Sequence, residues 1–274
     1  MASEMTALSR VGRFCVALID LEWNGDVAIV RLNDPQTLNA VSIAMMDELV
    51  AVLDQVEARA RAMILTGAGK GFCSGANLAS GGLEGIGTAD YDAGSGLENP
   101  INPLIKRLTG LSVPWIAAVN GAAAGIGASF ALMADMVVAS EKAYFMQAFA
   151  KVGLVPDGGS THLLVRTIGR VRAMEMMLLA GRLPAAKALE WGLVNRVVAE
   201  DVLLDEALAL ASQLSVGAAS LGEIRKLAWT AVNGTFENSL QAEREAQYRV
   251  GQTKDHVEGV MAFLEKRPAT FTGV

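Results

Sequence analysis

The chain has 274 residues, 52 % of them hydrophobic, with 28 glycines and 12 methionines but only two histidines and two cysteines. Its 29 acidic and 23 basic residues leave a formal net charge of −6, which opposes the broad electropositive surface that general nucleic-acid binding needs. His162 and His256 cannot supply a three-histidine metal site and Cys15 and Cys73 form no CxxC pair, so neither a metal centre nor a disulfide framework is expected. The cysteines read as reduced residues of a cytoplasmic protein, and Glu4, Arg10 and Arg13 interrupt any signal-peptide run.

In chain order, Ala17, Ile19, Leu21 and Trp23 alternate with polar and apolar neighbours, Asn24-Gly25 supplies a turn, and Val27 to Leu32 returns as the second strand of a hairpin. Ser42 can cap a helix with Met46, Leu49, Val50, Leu53 and Val56 on one face, and Ala62 to Leu65 reads as a buried strand. Between Ala79 and Asn102 six glycines and no periodicity indicate an exposed mobile loop that could cover a site. Leu111 to Ala134 carries no charge and is long enough to span a bilayer. Pro114, Asn120 and three glycines instead divide it into a strand (Trp115 to Val119), a breaker and a buried helix (Ile126 to Ala134), so no membrane insertion is expected. A strand at Met136 to Ala139, the turn Val155-Pro156-Asp157-Gly158-Gly159, a helix from near Ser160 and another stop at Gly181 follow. Beyond residue 200 the pattern is helical, at Val202 to Leu214, Ile224 to Val232, Leu240 to Val250 and His256 to Phe263, which implies an α-helical appendage on an α/β core.

Three elements carry glycines where a backbone reason is needed. Thr66 to Leu78 follows a strand but lacks both GxxxxGK[ST] and an in-register GxGxxG, so it is not a nucleotide phosphate loop of those classes. Asn120 to Gly127 leads into the buried helix, where unpaired amides suit a developing oxyanion. The third is the Asp157 turn. Only Asp135, Glu141 and Asp157 supply carboxylates between Leu111 and Val165; Asp157 reads either as an acid/base group or as a turn and capping residue. Ser129 has no histidine nearby in sequence to make it a nucleophile. Structural or solvent roles are expected for His162 and His256.

Together these pieces resemble the enoyl-CoA hydratase/isomerase (crotonase) superfamily. The resemblance rests on Leu32-Asn33-Asp34-Pro35 with Leu38-Asn39-Ala40, on Gly71-Phe72-Cys73-Ser74-Gly75-Ala76-Asn77-Leu78, on Asn120-Gly121 with its glycine-rich continuation, and on Gly153-Leu154-Val155-Pro156-Asp157-Gly158-Gly159. It implies an α/β fold, a spiral of ββα turns over residues 14–199, and a helical trimerisation region over 200–274. It also implies an acyl-CoA thioester substrate with no cofactor beyond the CoA it carries, and a homotrimer or dimer of trimers. Matched by position, the thioester oxygen is held by the backbone N–H groups of Ala76 and Ile126, the latter where the family usually has glycine. Substrate and CoA contacts map to Lys70, Ala76, Leu78, Phe149 and Lys266, with Lys266 acting from a neighbouring subunit; Asn77 replaces the family's usual aspartate.

The positions of the two glutamates that activate water in enoyl-CoA hydratases hold Ser129 and Phe149. Asp157 matches an acidic position of dienoyl-CoA isomerases and of ring-epoxide isomerases of phenylacetate breakdown. Phe145 to Asp157 and the ending Ala262 to Gly273 look like the 1,2-epoxyphenylacetyl-CoA isomerase subgroup. A single carboxylate suits an isomerase, which returns the proton it removes. The expectation is thus a CoA-thioester isomerase with Asp157 moving the proton. The alternatives are a hydratase using Ser129 or Glu98, and a non-catalytic acyl-CoA-binding protein. Phe149, Phe130, Met146 and the segment from Leu83 to Ile86 are candidates for the acyl-chain lining.

Overall fold

The computed structural model describes residues 17–77 and 85–274. Cys15, Leu78, Leu83, the N-terminal segment and the first part of the glycine-rich loop lie outside the described residues. β1 (Ile19–Asn24) and β2 (Val27–Leu32) form the expected hairpin, with Asn24 paired to Val27. The turn is therefore Gly25–Asp26 rather than Asn24–Gly25: Asn24 stays in the ladder and the positive φ falls on Gly25 alone, at 57°.

Ser42 caps α1 (Ile43–Arg59) by accepting from the Met45 N–H. The buried stripe is Met45, Met46, Leu49, Val52, Leu53 and Val56; Val50, expected inside, is exposed, because positions 49, 52, 53 and 56 already complete a face of 3.6-residue period. After β3 (Ala62–Gly67) and β4 (Gly71–Cys73) the glycine-rich stretch ends in an irregular helical turn, Leu97–Ile101, which runs straight into α2 (Asn102–Thr109). That helix was not expected. Pro103 sits in its first turn, where no intrahelical donor is lost, and Leu104 and Leu108 bury one face.

The remaining strands alternate between two sheets. β5 (Trp115–Val119), β7 (Met136–Ser140) and β10 (Arg196–Val198) join a six-stranded sheet in the order β1-β2-β3-β5-β7-β10, parallel except for the hairpin. The short strands β6 (Ala122–Ala124), β8 (Tyr144–Met146) and β9 (Leu183–Pro184) join β4 in a second sheet, β4-β6-β8-β9. Each of the pairs β3/β4, β5/β6 and β7/β8 thus places one strand in each sheet and moves the chain one step along both. This is the spiral of ββα turns. Ala122–Ala124, between the expected breaker and the helix, is a strand. The uncharged stretch resolves into β5, β6 and α3 (Ile126–Leu132), and no single helix among the described residues is long and apolar enough to cross a membrane.

Both faces of the long sheet are covered, which explains its nearly continuous apolar runs. Ala28, Val30, Leu32, Met63, Leu65, Trp115, Ala117 and Val119 point into the main core. Their alternates Val27, Ile29, Ala62, Ile64, Ile116 and Ala118 meet Leu203, Ala207, Leu210 and Ala211 of α6 (Leu203–Ser215) in a second cluster. The first helix beyond residue 200 is therefore a layer of the sheet's own packing. Between them come α4 (Ser160–Leu179), bent at Gly169, and α5 (Ala185–Glu190). Ala180 closes α4 in a left-handed conformation, one residue before the expected stop at Gly181.

The last three helices, α7 (Ser220–Asn233), α8 (Phe236–Val250) and α9 (Lys254–Glu265), are tied to this core by Arg225. Its buried guanidinium pairs with Asp135 at 2.8 Å and donates to the carbonyls of Leu108, Thr109 and Leu111. On α9 two large apolar side chains face outward, Phe263 83 % and Leu264 68 % exposed. With α7 and α8 it borders an open groove of about 830 Å³ lined by Ile224, Leu240, Val260 and Phe263.

Candidate active site

Two backbone segments that are 50 residues apart in sequence meet at a pair of glycines. Gly75 has φ +106° and Gly125 φ +53° with ψ −127°, conformations that L-residues with a side chain adopt only at a cost. A Cβ on Gly75 would lie 3.1 Å from the Ala124 carbonyl oxygen, and one on Gly125 would lie 3.9 Å from the Gly75 Cα. Ala76 and Ile126, the residues that follow, are thereby brought side by side. The direction of the Ala76 amide is fixed as well. The Val41 N–H donates to the Gly75 carbonyl at 2.7 Å and the Asn77 N–H donates to the Val41 carbonyl at 2.9 Å. In such a parallel bridge the intervening residue turns its own N–H away from the partner strand. Ile126 is the first residue of α3, where the N–H has no intrahelical acceptor. Among the described residues neither N–H donates to a protein acceptor.

Phe149 covers one side of this junction, its ring 3.5 Å from where a Gly125 Cβ would stand. On another side lies the turn that carries Asp157. A Cβ on Gly158 would be 3.1 Å from both Ile126 Cγ1 and Ser129 Oγ, so the turn sits directly on α3. Asp157 is half-buried; its Oδ1 has no hydrogen-bond partner. Burial pushes the carboxyl up from 3.8 to about 6, and no neighbouring charge contributes. A carboxyl with this value can both take and return a proton near neutral pH.

The sequence profile of the enoyl-CoA hydratase/isomerase family matches residues 22–274. The chain belongs to this family. It is 43 % identical over 250 residues to 1,2-epoxyphenylacetyl-CoA isomerase of Escherichia coli strain K12, covering 90 % of this chain and 95 % of that protein. It is 39 % identical to a protein of Rhodobacter capsulatus named as a probable enoyl-CoA hydratase, covering 93 % and 98 %. The crystal structure of an enoyl-CoA hydratase from Bacillus anthracis superposes with a TM-score of 0.85 at 30 % identity, covering 94 % and 100 %.

Within this enoyl-CoA hydratase/isomerase fold the other sequence-derived candidates separate. Ser129 is fully buried, with its Oγ 2.6 Å from Ser160 Oγ and 3.4 Å from the Asp157 carbonyl oxygen. It cannot present a hydroxyl to a substrate, because packing and these two oxygens surround it. Phe130 is also not an acyl-chain lining residue: it is 1 % exposed and packs in the main core, since it follows Ser129 on the inner side of α3. Met146 is half-buried beside the junction, its carbonyl accepting the Gly125 N–H at 2.9 Å.

Lys70, Glu98, His162, His256 and Lys266 are exposed, Lys266 at the end of α9, and within the single chain none has a hydrogen bond to the Ala76–Ile126–Asp157 cluster. Cys73 is buried against Gly127 with its thiol pushed up to about 12 by burial, which keeps it protonated. Sequence reasoning missed Gln147, fully buried next to Met146 with neither amide atom partnered. It also missed Ser160, which lies 31 residues from its hydroxyl partner; no local pattern signals such a pair.

Gly125→Ala is expected to fold with reduced stability: the Cβ meets Phe149 only at ordinary contact distance, but the φ of 53° strains any L side chain. It should nevertheless cost about 10²–10³-fold in turnover by turning the following amide out of line, as steady-state kinetics with intact near-ultraviolet circular dichroism would show.

Proposed function

We propose that the chain is a CoA-thioester isomerase. The N–H groups of Ala76 and Ile126 hold the thioester oxygen as it gains enolate charge, and Asp157 removes a proton from one carbon and delivers it to another. The observation that carries this reading is the lone carboxyl of Asp157, poised near neutrality and packed against the helix that begins with Ile126. Fixed donors aimed at a developing oxyanion lower a barrier by several kcal/mol, and the base then has to act only on a proton already acidified by that enolate. Hydration requires a positioned water and groups to activate it. The two places where the family's hydratases carry glutamates hold the enclosed Ser129 and the aromatic ring of Phe149, which supports isomerisation over water addition.

The substrate acyl group lies against Phe149 and Met146 in this reading. Lys70 and Leu78 contact CoA on the same chain and Lys266 on a neighbouring one. The exposed Phe263 and Leu264 support self-association through the C-terminal helices, as a homotrimer or a dimer of trimers. The reading is tested by incubating the purified protein with 3-enoyl-CoA, 1,2-epoxyphenylacetyl-CoA and crotonyl-CoA and resolving the products by mass and chromatography. Isomerised thioesters of unchanged mass are expected. Conversion of crotonyl-CoA to a product 18 Da heavier at a comparable rate would overturn the assignment in favour of a hydratase, and binding without turnover of any of the three would favour an acyl-CoA-binding protein.

A further inference from the structure

The Asp157 carboxyl has no hydrogen-bond partner on Oδ1 and no charge acting on it; it is placed only through its backbone. That backbone runs into Gly158 and Gly159, both at positive φ, 59° and 79°, two residues whose conformational freedom gives the turn little stiffness of its own. Besides the close packing of Gly158 on α3, what restrains it is its carbonyl oxygen, which accepts from the Ser160 N–H at 3.0 Å and from Ser129 Oγ at 3.4 Å. The Ser129 and Ser160 hydroxyls, both fully buried, lie 2.6 Å apart. Two protons serve this pair. If Ser160 donates to Ser129, then Ser129 donates onward to the Asp157 carbonyl and both are used; in the reverse order the Ser160 proton has no acceptor among the described residues.

We infer that Ser129 is a positioning residue: through the relay Ser160–Ser129–Asp157 carbonyl it fixes the Asp157 turn to α3. Because the Ile126 amide stands three residues earlier on the same helix, one hydroxyl sets the spacing between the proton-transfer group and one of the oxyanion donors. This rests on the proposed isomerase reading for its catalytic meaning, although the placement itself can be measured without turnover. The titratable groups on the segments flanking the turn are Lys151 before it and His162 after it, both exposed, and α3 carries none.

The test is Ser129→Ala, with Ser129→Cys as a near-isosteric second variant that keeps the volume if the alanine protein does not fold. The Asp157 carboxyl is titrated by ¹³C NMR in wild type and variant, and kcat and KM are measured on the thioester substrate that the wild type isomerises. A loosened turn admits water, so the carboxyl titration should move down from about 6 towards 3.8, with kcat reduced about 10–100-fold and KM changed less than about threefold. A titration and kcat both unchanged in a folded variant would overturn the positioning role while leaving the isomerase reading intact. Full turnover by Asp157→Asn would instead remove the isomerase reading, and the NMR titration would still decide whether Ser129 places the turn.

Discussion

Asp157→Asn should abolish most isomerisation, lowering kcat/KM by about 10²–10⁴-fold with substrate binding retained. The amide keeps the shape of the turn but can neither accept nor return a proton. In wild type the activity should rise with pH through about 6 and then level, because the base must be ionised and burial holds its titration there. A stability measurement gives an independent view of the same group. Its folded-state value lies above the 3.8 of an exposed carboxyl, so between about pH 4 and 6 the native protein retains a proton that the unfolded chain has released. Stability therefore falls as pH rises across that window, and the cost is complete above 6. Removing the charge should make Asp157→Asn more stable than wild type at pH 8, by about 1–2 kcal/mol once partial solvent access is allowed for. At pH 4 the two should be alike. Urea denaturation at both values, alongside the kinetics, checks the result. An active variant, or one less stable at pH 8, would contradict a buried base.

Arg225→Ala should have the largest effect on stability, a loss of about 3–5 kcal/mol. The side chain is 3 % exposed and joins α7 to Asp135 and to three carbonyls at and just beyond the end of α2. Its removal leaves those carbonyls without their donor and strands a carboxyl whose own titration burial already raises, against the opposing pull of Arg225 and the Trp115 N–H. With the arginine gone, nothing but that N–H offsets burial, and the carboxyl should rise further. The deficit should accordingly shrink as the pH is lowered and Asp135 takes up a proton. A deficit below about 1 kcal/mol in urea titrations, or one independent of pH, would show that the pair is not what anchors the C-terminal helices.

Long local patterns were legible before the structure. The β1–β2 alternation, the Ser42 cap, the Trp115 strand and the four helices beyond residue 200 each state their period or their boundary within a dozen residues. The three-residue strands β4, β6 and β8 do not, because three residues carry no period, and Ala122–Ala124 has the composition of a helix. α2 was hidden by its proline and by the polar stretch before it. In the site, the glycines at 75 and 125 point to a backbone function, and the family resemblance singles out the amides of Ala76 and Ile126. Phe130 and Phe149 could not be told apart by residue type; only tertiary packing sends one to the core and the other to the Gly125 junction. Ser129 stood out as an absent glutamate. Its contact with Ser160 depends on two helices meeting, which no single segment specifies.

The meeting of Gly75 and Gly125 also determines what mutagenesis can and cannot see. The donors proposed at Ala76 and Ile126 belong to the peptide bond, and the genetic code changes only what hangs from it. A side-chain scan around the Gly75–Gly125 junction would register Asp157 and pass over both amides, however much they contribute. Replacing each peptide N–H with an ester oxygen, by semisynthesis or hydroxy-acid incorporation, addresses the donors themselves.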